Sequence, residues 1–233
     1  MKKTLDRIFI DGLSGMAQGL FATLIIGTII QQIGAMVTGN TGAWIVLIGK
    51  VAASMTGAGI GVGVARKFEA SQLVVVSAAT AGMVGAFAGK ILSGEILQNG
   101  AIVLAGPGEP LGAFVAAYLA VEVGILIAGK TKLDILITPL VTIGVGSAVG
   151  IFVGPPISKF MAWIGSLINW GTEQQPLIMG IVVSVLMGMI LTLPISSAAI
   201  GIVLNLSGLA AGAATIGCCC NMVGFAVASY REN

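Results

Sequence analysis

The feature that most constrains the fold is a series of apolar stretches, each about as long as a helix that crosses a bilayer. A transmembrane helix needs about 20 mostly apolar residues. Stretches of that kind run roughly over 13–33, 43–64, 71–89, 111–129, 135–154, 176–203 and 206–229. Their apolar residues are continuous and do not alternate in period two, unlike the strands of a transmembrane barrel. The pattern predicts an all-α, polytopic integral membrane helical bundle of about seven spans, in one transmembrane domain over 1–233.

The composition excludes a soluble domain. Hydrophobic residues make up 57% of the chain and charged residues only 9%, with a mean hydropathy of +1.06, whereas soluble domains carry about 25% charged residues. A net charge of +2 provides no basic field for nucleic acid. Histidine is absent, and the three cysteines, Cys218 to Cys220, are consecutive, unlike metal-binding thiols. We therefore expect no metal and no cofactor, and we interpret the cysteines as small packing residues.

The distribution of loop charges predicts the orientation. Cytoplasmic loops of membrane proteins carry an excess of basic residues. With the N-terminus inside, the inner segments contain Lys2, Lys3, Arg7, Arg66, Lys67, Lys130 and Lys132, and the outer segments contain Lys90, Lys159 and Arg231. The sequence thus predicts a multi-pass protein of the plasma membrane with a cytoplasmic N-terminus.

Two segments do not fit a simple span. In 91–110 the apolar run 101–105 is too short to cross a bilayer and precedes a sequence rich in glycine and proline. One helical face of 157–170 is apolar, with Ile157, Phe160, Met161, Ile164 and Ile168. Because the helix breaker Pro155-Pro156 precedes it, this segment predicts a separate amphipathic helix in the membrane interface, with an ordinary loop as the alternative.

Glycine is abundant, with 35 residues, and several pairs have the four-residue spacing that lets helices approach closely. These pairs are Gly15/Gly19, Gly57/Gly61, Gly59/Gly63, Gly85/Gly89, Gly146/Gly150 and Gly208/Gly212. Many such pairs occur by chance in a chain so rich in glycine. They predict a tightly packed bundle and identify no site.

Two charged residues fall inside the predicted spans, where a charge costs on the order of 3 kcal/mol. Lys50 follows the start of the second stretch by about two helical turns. It either belongs to a polar, close-packed stripe with Ser54 or extends its stem to the headgroups. Glu122, one turn after Tyr118, is either a substrate or proton site or part of a structural pair with Lys50 or a hydroxyl. We predict that Lys50 and Glu122 interact across the bundle.

The strongest local signal is Gly106-Pro107-Gly108-Glu109-Pro110-Leu111-Gly112, which cannot continue a helix. Irregular backbone at membrane depth occurs only where it lines a cavity or is buried in protein. Glu109 is therefore placed to accept hydrogen bonds from a polyol. The alternative is a surface loop between two spans.

A similar break occurs in the sixth stretch, where Pro194 interrupts an apolar segment that is longer than one crossing needs. The carbonyls it frees lie close in sequence to three hydroxyls, those of Thr192, Ser196 and Ser197. Two broken elements in one membrane protein indicate a transport site. We therefore predict that the substrate is bound by Glu109, Glu122, Lys50, Thr192, Ser196 and Ser197.

Three segments resemble one family of membrane proteins. They are Gly-Glu-Pro-Leu-Gly-Ala-Phe at 108–114, Thr-Lys-Leu-Asp-Ile-Leu-Ile-Thr-Pro-Leu-Val-Thr-Ile at 131–143 and Leu-Thr-Leu-Pro-Ile-Ser-Ser-Ala-Ala at 191–199. Together with 207–225, they are similar to the IIC-like membrane proteins of the phosphotransferase system (EIIC type 2), in the branch that includes the perfringolysin O regulator-like proteins. The resemblance covers nearly the whole chain. It implies a membrane component of sugar uptake or of its regulation.

The resemblance also sets expectations about partners. Phosphoryl transfer would come from separate cytoplasmic phosphocarrier proteins, and the ligand would be a small-molecule sugar. We also expect a homodimer in the lipid bilayer. Family members continue beyond the position that matches Tyr230, which implies a domain that is incomplete at its C-terminus.

Three functions are open on the sequence. The first is a sugar permease subunit, the second is a membrane sensor or regulator that does not transport, and the third is a proton-coupled secondary transporter, motivated by Glu122. An intramembrane enzyme is the least supported, because the chain has neither a Ser/His nor a metal constellation. At most this chain is the permease part of a sugar phosphotransferase.

Overall fold

The computed structural model describes residues 7–98, 100–172, 175–192 and 208–232. Its first helical stretch runs over 7–36, where π-helical turns at Arg7–Gly12 and Phe21–Ile25 alternate with α1 (Leu13–Leu20) and α2 (Ile26–Met36). The following helices are α3 (Asn40–Ser54), α4 (Thr56–Lys67), α5 (Gln72–Ser93), α6 (Pro110–Ile127), α7 (Asp134–Thr172), α8 (Pro176–Thr192) and α9 (Gly208–Glu232). This is the all-α membrane bundle that the apolar stretches predict.

A short antiparallel hairpin interrupts the helices between α5 and α6. Strands β1 (Leu97–Gln98) and β2 (Ala101–Ile102) have only two residues each. Leu97 lies opposite Ile102, and Gln98 lies opposite Ala101. The apolar run that is too short to cross a bilayer therefore begins as one strand of this hairpin.

Among the described residues, five helices are long and apolar enough to cross a membrane: Ile10–Met36, Gln72–Ser93, Pro110–Ile127, Asp134–Phe160 and Gly208–Ala228. A sixth crossing requires α3 and α4 together, which are bent by 50° relative to each other. The second predicted stretch is thus interrupted by a bend and is not one straight helix. Of the sixth stretch, the structure describes only the helix that begins at Pro176, and Pro194 lies outside the described residues.

The chain divides into two compact units, Met1–Ser158 and Lys159–Asn233. In the first unit α4 packs against α1, α5 and α6, and Ile60 and Val64 of α4 are fully buried in the core. In the second unit α8 packs against α9. There the Asn221 amide donates a hydrogen bond to the Gly188 carbonyl at 2.8 Å, and the Cys218 thiol lies 3.7 Å from the Met187 carbonyl.

Helix α4 has glycine on two opposite faces. On the first face Gly59 and Gly63 pack against α1, where a Cβ added to Gly15 would lie 2.8 Å from the Cα of Val64. On the second face Gly57 and Gly61 pack against α5, where a Cβ added to Gly61 would lie 2.6 Å from the carbonyl carbon of Ala78. Three of the predicted pairs, including Gly15/Gly19, therefore form close helix contacts.

The other predicted pairs differ in their surroundings. A Cβ on Gly146 or Gly150 of α7 would meet α5 and α6, and one on Gly85 would lie 2.6 Å from the Gly112 carbonyl. A Cβ on Gly89 would lie 3.5 Å from the Ser158 hydroxyl, which is an ordinary contact distance. A Cβ on Gly208 or Gly212 would have no atom within 4 Å among the described residues. Four-residue spacing thus predicts a smooth face but not that another helix covers it.

Helices α2 and α3 use a different glycine spacing. Gly27 and Gly34 of α2 are seven residues apart, as are Gly42 and Gly49 of α3. A Cβ on Gly27 would lie 2.8 Å from the Gly49 carbonyl, and one on Gly34 would lie 3.0 Å from the Gly42 carbonyl. The two antiparallel helices are in contact at intervals of two turns, a pattern that a search for four-residue pairs misses.

The prediction of a helix break at Pro155-Pro156 is wrong. Helix α7 continues through Pro139, Pro155 and Pro156 to Thr172, so the segment 157–170 is the end of α7 and not a separate helix. Each proline removes one backbone hydrogen bond. The intact bonds on both sides hold the helix, and membrane helices tolerate such losses where the freed carbonyl finds another partner.

Candidate functional site

The loop over 103–109 returns along α5 and leads to Glu109. The Lys90 ammonium donates a hydrogen bond to the Ala105 carbonyl at 3.0 Å. The Glu109 amide donates one to the Ala86 carbonyl at 2.7 Å. Because Ala86 and Lys90 are one turn apart on α5, the loop is attached to two consecutive turns of that helix.

Glycine gives this loop its shape. Gly106 and Gly108 have φ angles of +81° and +70°, in the left-handed region that favours glycine. A Cβ on Gly108 would lie 2.8 Å from the Ala86 carbonyl oxygen, so the backbone also approaches α5 closely. Helix α6 begins at Pro110, a first-turn position that suits proline. The prediction that this segment cannot continue a helix is confirmed.

The Glu109 side chain is partly buried at the N-terminal end of α6. Its Oε1 atom is buried and has no hydrogen-bond partner in the part of the chain that the structure describes. Burial raises the pKa of Glu109 from 4.5 to about 7, and the Leu111 amide partly offsets that effect. A buried oxygen without a donor is costly. The site therefore offers a hydrogen-bond acceptor to a ligand that carries donors.

Glu122 lies in a second group of side chains, which we call the Arg7 cluster: Arg7, Phe68, Tyr118 and Glu122. Arg7 Nε and Glu122 Oε1 are 2.9 Å apart, as an ion pair and not as an aligned hydrogen bond. The Arg7 guanidinium lies 4.7 Å from the centre of the Phe68 ring. Phe68 in turn packs edge-on against Tyr118, with ring centres 5.7 Å apart. The cluster joins the first helical turn, the loop 68–71 and residues 118–122 of α6.

The predicted pair of Lys50 and Glu122 is wrong. Lys50 is exposed on α3, and α3 packs mainly against α2, whereas Glu122 on α6 is held by Arg7. Arg7 appears in the sequence as a loop charge that fixes the orientation. Since the helical stretch already begins at Arg7, its guanidinium is held beside α6 and neutralises a carboxylate there.

A double-mutant cycle will show the Arg7–Glu122 interaction. Arg7→Met and Glu122→Gln should each destabilise the protein, and the double variant should lose less than the sum by about 1–2 kcal/mol. The side chains are 43% and 29% exposed, so we expect a value near the lower end because water screens the pair. Detergent unfolding is the measurement. The cycle of Lys50→Met with Glu122→Gln is the control and should be additive; coupling there and not with Arg7 would contradict the structure.

Of the three residues whose hydroxyls are predicted to bind substrate, two lie outside the described part of the chain. Thr192 ends α8, and Ser196 and Ser197 lie outside the part of the chain that the structure describes. Their role in binding stays a prediction.

Asp134, Thr138 and Thr142 form a row of polar side chains on one face of α7, which we call the ladder. The sequence predictions did not include it. Asp134 accepts hydrogen bonds from the Thr138 hydroxyl at 2.6 Å and from the Gly129 amide at 2.8 Å. Thr138 and Thr142 are fully buried, and the Thr142 hydroxyl has no partner among the described residues. Its oxygen would lie 2.7 Å from a Cβ on Gly124 of α6. The signal was present, because residues four apart share one helical face.

The chain was compared with protein families, curated proteins and solved structures. A family model described as "Phosphotransferase system, EIIC" matches residues 10–233. No curated protein matches the chain. No solved structure matches it either. The matched range contains the loop of Glu109, the ladder on α7 and Glu122, whereas Arg7 precedes it.

Proposed function

This chain belongs to the phosphotransferase system EIIC family, the membrane components of sugar transport, and on that premise we propose that it binds a sugar through Glu109 and moves it across the bilayer. Separate cytoplasmic phosphocarrier proteins then supply the phosphoryl group. The chain has no histidine, the commonest general base, which agrees with transfer by other proteins.

The single observation that carries the proposal is the buried Glu109 oxygen without a donor. A sugar is neutral and rich in hydroxyl donors. A carboxylate accepts stronger hydrogen bonds than a neutral group does. Binding would therefore give this oxygen the partner that the described chain does not supply.

Transport and phosphoryl transfer are tested by reconstitution of the purified chain into vesicles with a panel of labelled mono- and disaccharides. We expect one sugar to bind and to enter the vesicles, and phosphocarrier proteins with a phosphoryl donor to convert the entering sugar to its phosphate. A sugar that binds but does not enter would identify a sensor and contradict the transport proposal. If no sugar of the panel binds, the proposal that the ligand is a sugar is contradicted.

The orientation is the other part of the proposal. The Arg7 cluster places the start of the first helix and the loop 68–71 at one end of the first unit, and Lys132 follows α6 at that same end. Under the positive-inside rule this end is cytoplasmic. Reporter fusions after Arg66 and after Lys132 should both report the cytoplasm, and a fusion after Gly94 should report the opposite side. A cytoplasmic signal after Gly94, or an external one after Arg66, would contradict the orientation.

A further inference from the structure

The first unit contains an open cavity of about 300 Å³ beside the β1–β2 hairpin. Its lining residues come from the end of α5, from the turn that follows it, from strand β1 and from the loop that leads to Glu109. They are Lys90, Glu95, Leu97, Gln98, Val103 and Ala105. The volume is at the lower end of the range of about 300–1,000 Å³ that is typical of small-molecule sites, which suits a small ligand.

The lining selects a class of ligand. Lys90 and Glu95 carry opposite charges, and Gln98 adds an amide with both donors and an acceptor. Because the charges of Lys90 and Glu95 cancel, the lining has no net charge that would favour an anion or a cation. Leu97 and Val103 add apolar surface for C–H groups. A neutral molecule with many hydroxyls and an apolar face, such as a sugar ring, fits both parts of the lining.

The position of Lys90 connects the cavity to Glu109. Its ammonium gives one hydrogen bond to Ala105 and keeps two further donors for a ligand. The same ammonium lies 5.6 Å from the centre of the Phe87 ring. Glu109 is bonded to Ala86, one turn before Lys90 on α5. The cavity and the backbone of Glu109 are thus attached to consecutive turns of α5.

The order of the elements shows at which end of the first unit the cavity lies. Helix α5 begins after the loop of the Arg7 cluster and ends before the hairpin. The cavity is therefore at the end opposite to the Arg7 cluster, the outer end in the proposed orientation.

We propose that the open cavity beside the β1–β2 hairpin is a separate entry site, which takes the sugar from the outer side before it reaches Glu109. This inference rests on the proposed function and assigns the lining residues, and not Glu109, to the first contact with the substrate. The cavity binds the sugar through Lys90, Glu95 and Gln98, and the two aliphatic side chains contact the ring.

The test is protection of a cysteine against a membrane-impermeant maleimide in reconstituted vesicles. The full chain, with Cys218, Cys219 and Cys220 replaced by alanine, receives Gln98→Cys in the cavity or, as the matched control, Ile102→Cys. Ile102 is on the same hairpin and exposed but does not line the cavity. The probe is the sugar of the panel that binds most tightly. We expect it to slow labelling at residue 98 by about tenfold at saturation and to leave labelling at residue 102 unchanged.

A second measurement separates the two sites. Glu95→Gln combined with Gln98→Leu should raise the KM for uptake about tenfold with little change in kcat, while Glu69→Gln, an exposed carboxylate at the other end, should change neither. If the sugar binds but labelling at residue 98 is not slowed, or if the double variant keeps its KM, the entry site is refuted and the role of Glu109 stands. If no sugar binds the unmodified chain, the proposed function fails and the entry site with it.

Discussion

Alanine at Gly61 will lower the free energy of unfolding by about 3 kcal/mol, although alanine is the better helix former. A Cβ at this position would lie 2.6 Å from the carbonyl carbon of Ala78 and 2.9 Å from the Cα of Ala79. Both atoms belong to the backbone of α5 and cannot rotate away. The two helices must therefore separate, and the contacts around the added methyl group are lost. Thermal or denaturant unfolding in detergent measures the effect.

The matched control is Gly144→Ala on α7. No atom lies within 4 Å of a Cβ at Gly144 among the described residues. Alanine there should leave stability unchanged or raise it by up to about 1 kcal/mol, because it removes only the conformational cost of glycine. An equal loss at both positions would show that the close contact of α4 and α5 is not the cause.

Glutamine at Glu109 will remove a pH dependence that the unmodified protein should show. Burial raises the pKa of this carboxyl to about 7 in the folded protein, from 4.5, so the folded state favours the protonated form. The contribution to stability is full below pH 4.5 and is lost as the pH rises through about 7. At pH 8 the loss is on the order of 3 kcal/mol. Glu109→Gln has no proton to lose and should be the more stable protein at that pH.

Sugar binding should respond in the opposite sense. An ionised carboxylate is the stronger acceptor, so affinity for the sugar should rise as the pH passes about 7, near the pKa of Glu109. Glu109→Gln should bind about 1.5–3 kcal/mol more weakly at high pH and show no such rise. Melting curves and binding isotherms over a range of pH provide both readouts, with Glu69→Gln as the control. If Glu109→Gln keeps both profiles of the unmodified protein, the loop is only a connector.

The helices were predictable from sequence because lipid provides no partner for an open backbone. An apolar stretch of the right length therefore has almost no alternative to a helix. The same argument located the non-helical loop before Pro110. It did not locate the bend between Ser54 and Thr56, because the stretch 43–64 contains no proline and nothing else in its sequence requires a break there.

The glycine contacts were predictable only in part. A pair such as Gly59/Gly63 shows that a helix has a smooth face, but the sequence of one helix does not name the helix that covers it. The structure supplies that information for Gly59, which faces α1, and for Gly61, which faces α5. Gly212 has the same local pattern, but among the described residues no atom lies within 4 Å of a Cβ added there.

The partner of Glu122 was not predictable for a geometric reason. The sequence suggests Lys50 as the partner of Glu122 because these two charges lie within predicted spans. Arg7 lies before the first stretch, and its long side chain still reaches the carboxylate of α6. Which charges meet depends on how the helix ends are arranged, and that arrangement is a property of the packed bundle.

The glycine faces of α4 also have a consequence for synthesis of the protein. With 12 residues, α4 is about 18 Å long, whereas the hydrocarbon layer is about 30 Å thick. It is too short to cross the bilayer by itself, and the 50° bend prevents α3 from extending it as one straight helix. Its close backbone contacts are with α1, which is made before it, and with α5, which is made after it. We therefore expect α4 to settle in the membrane only once α5 has followed it, so that insertion of this part of the chain proceeds as a group of helices.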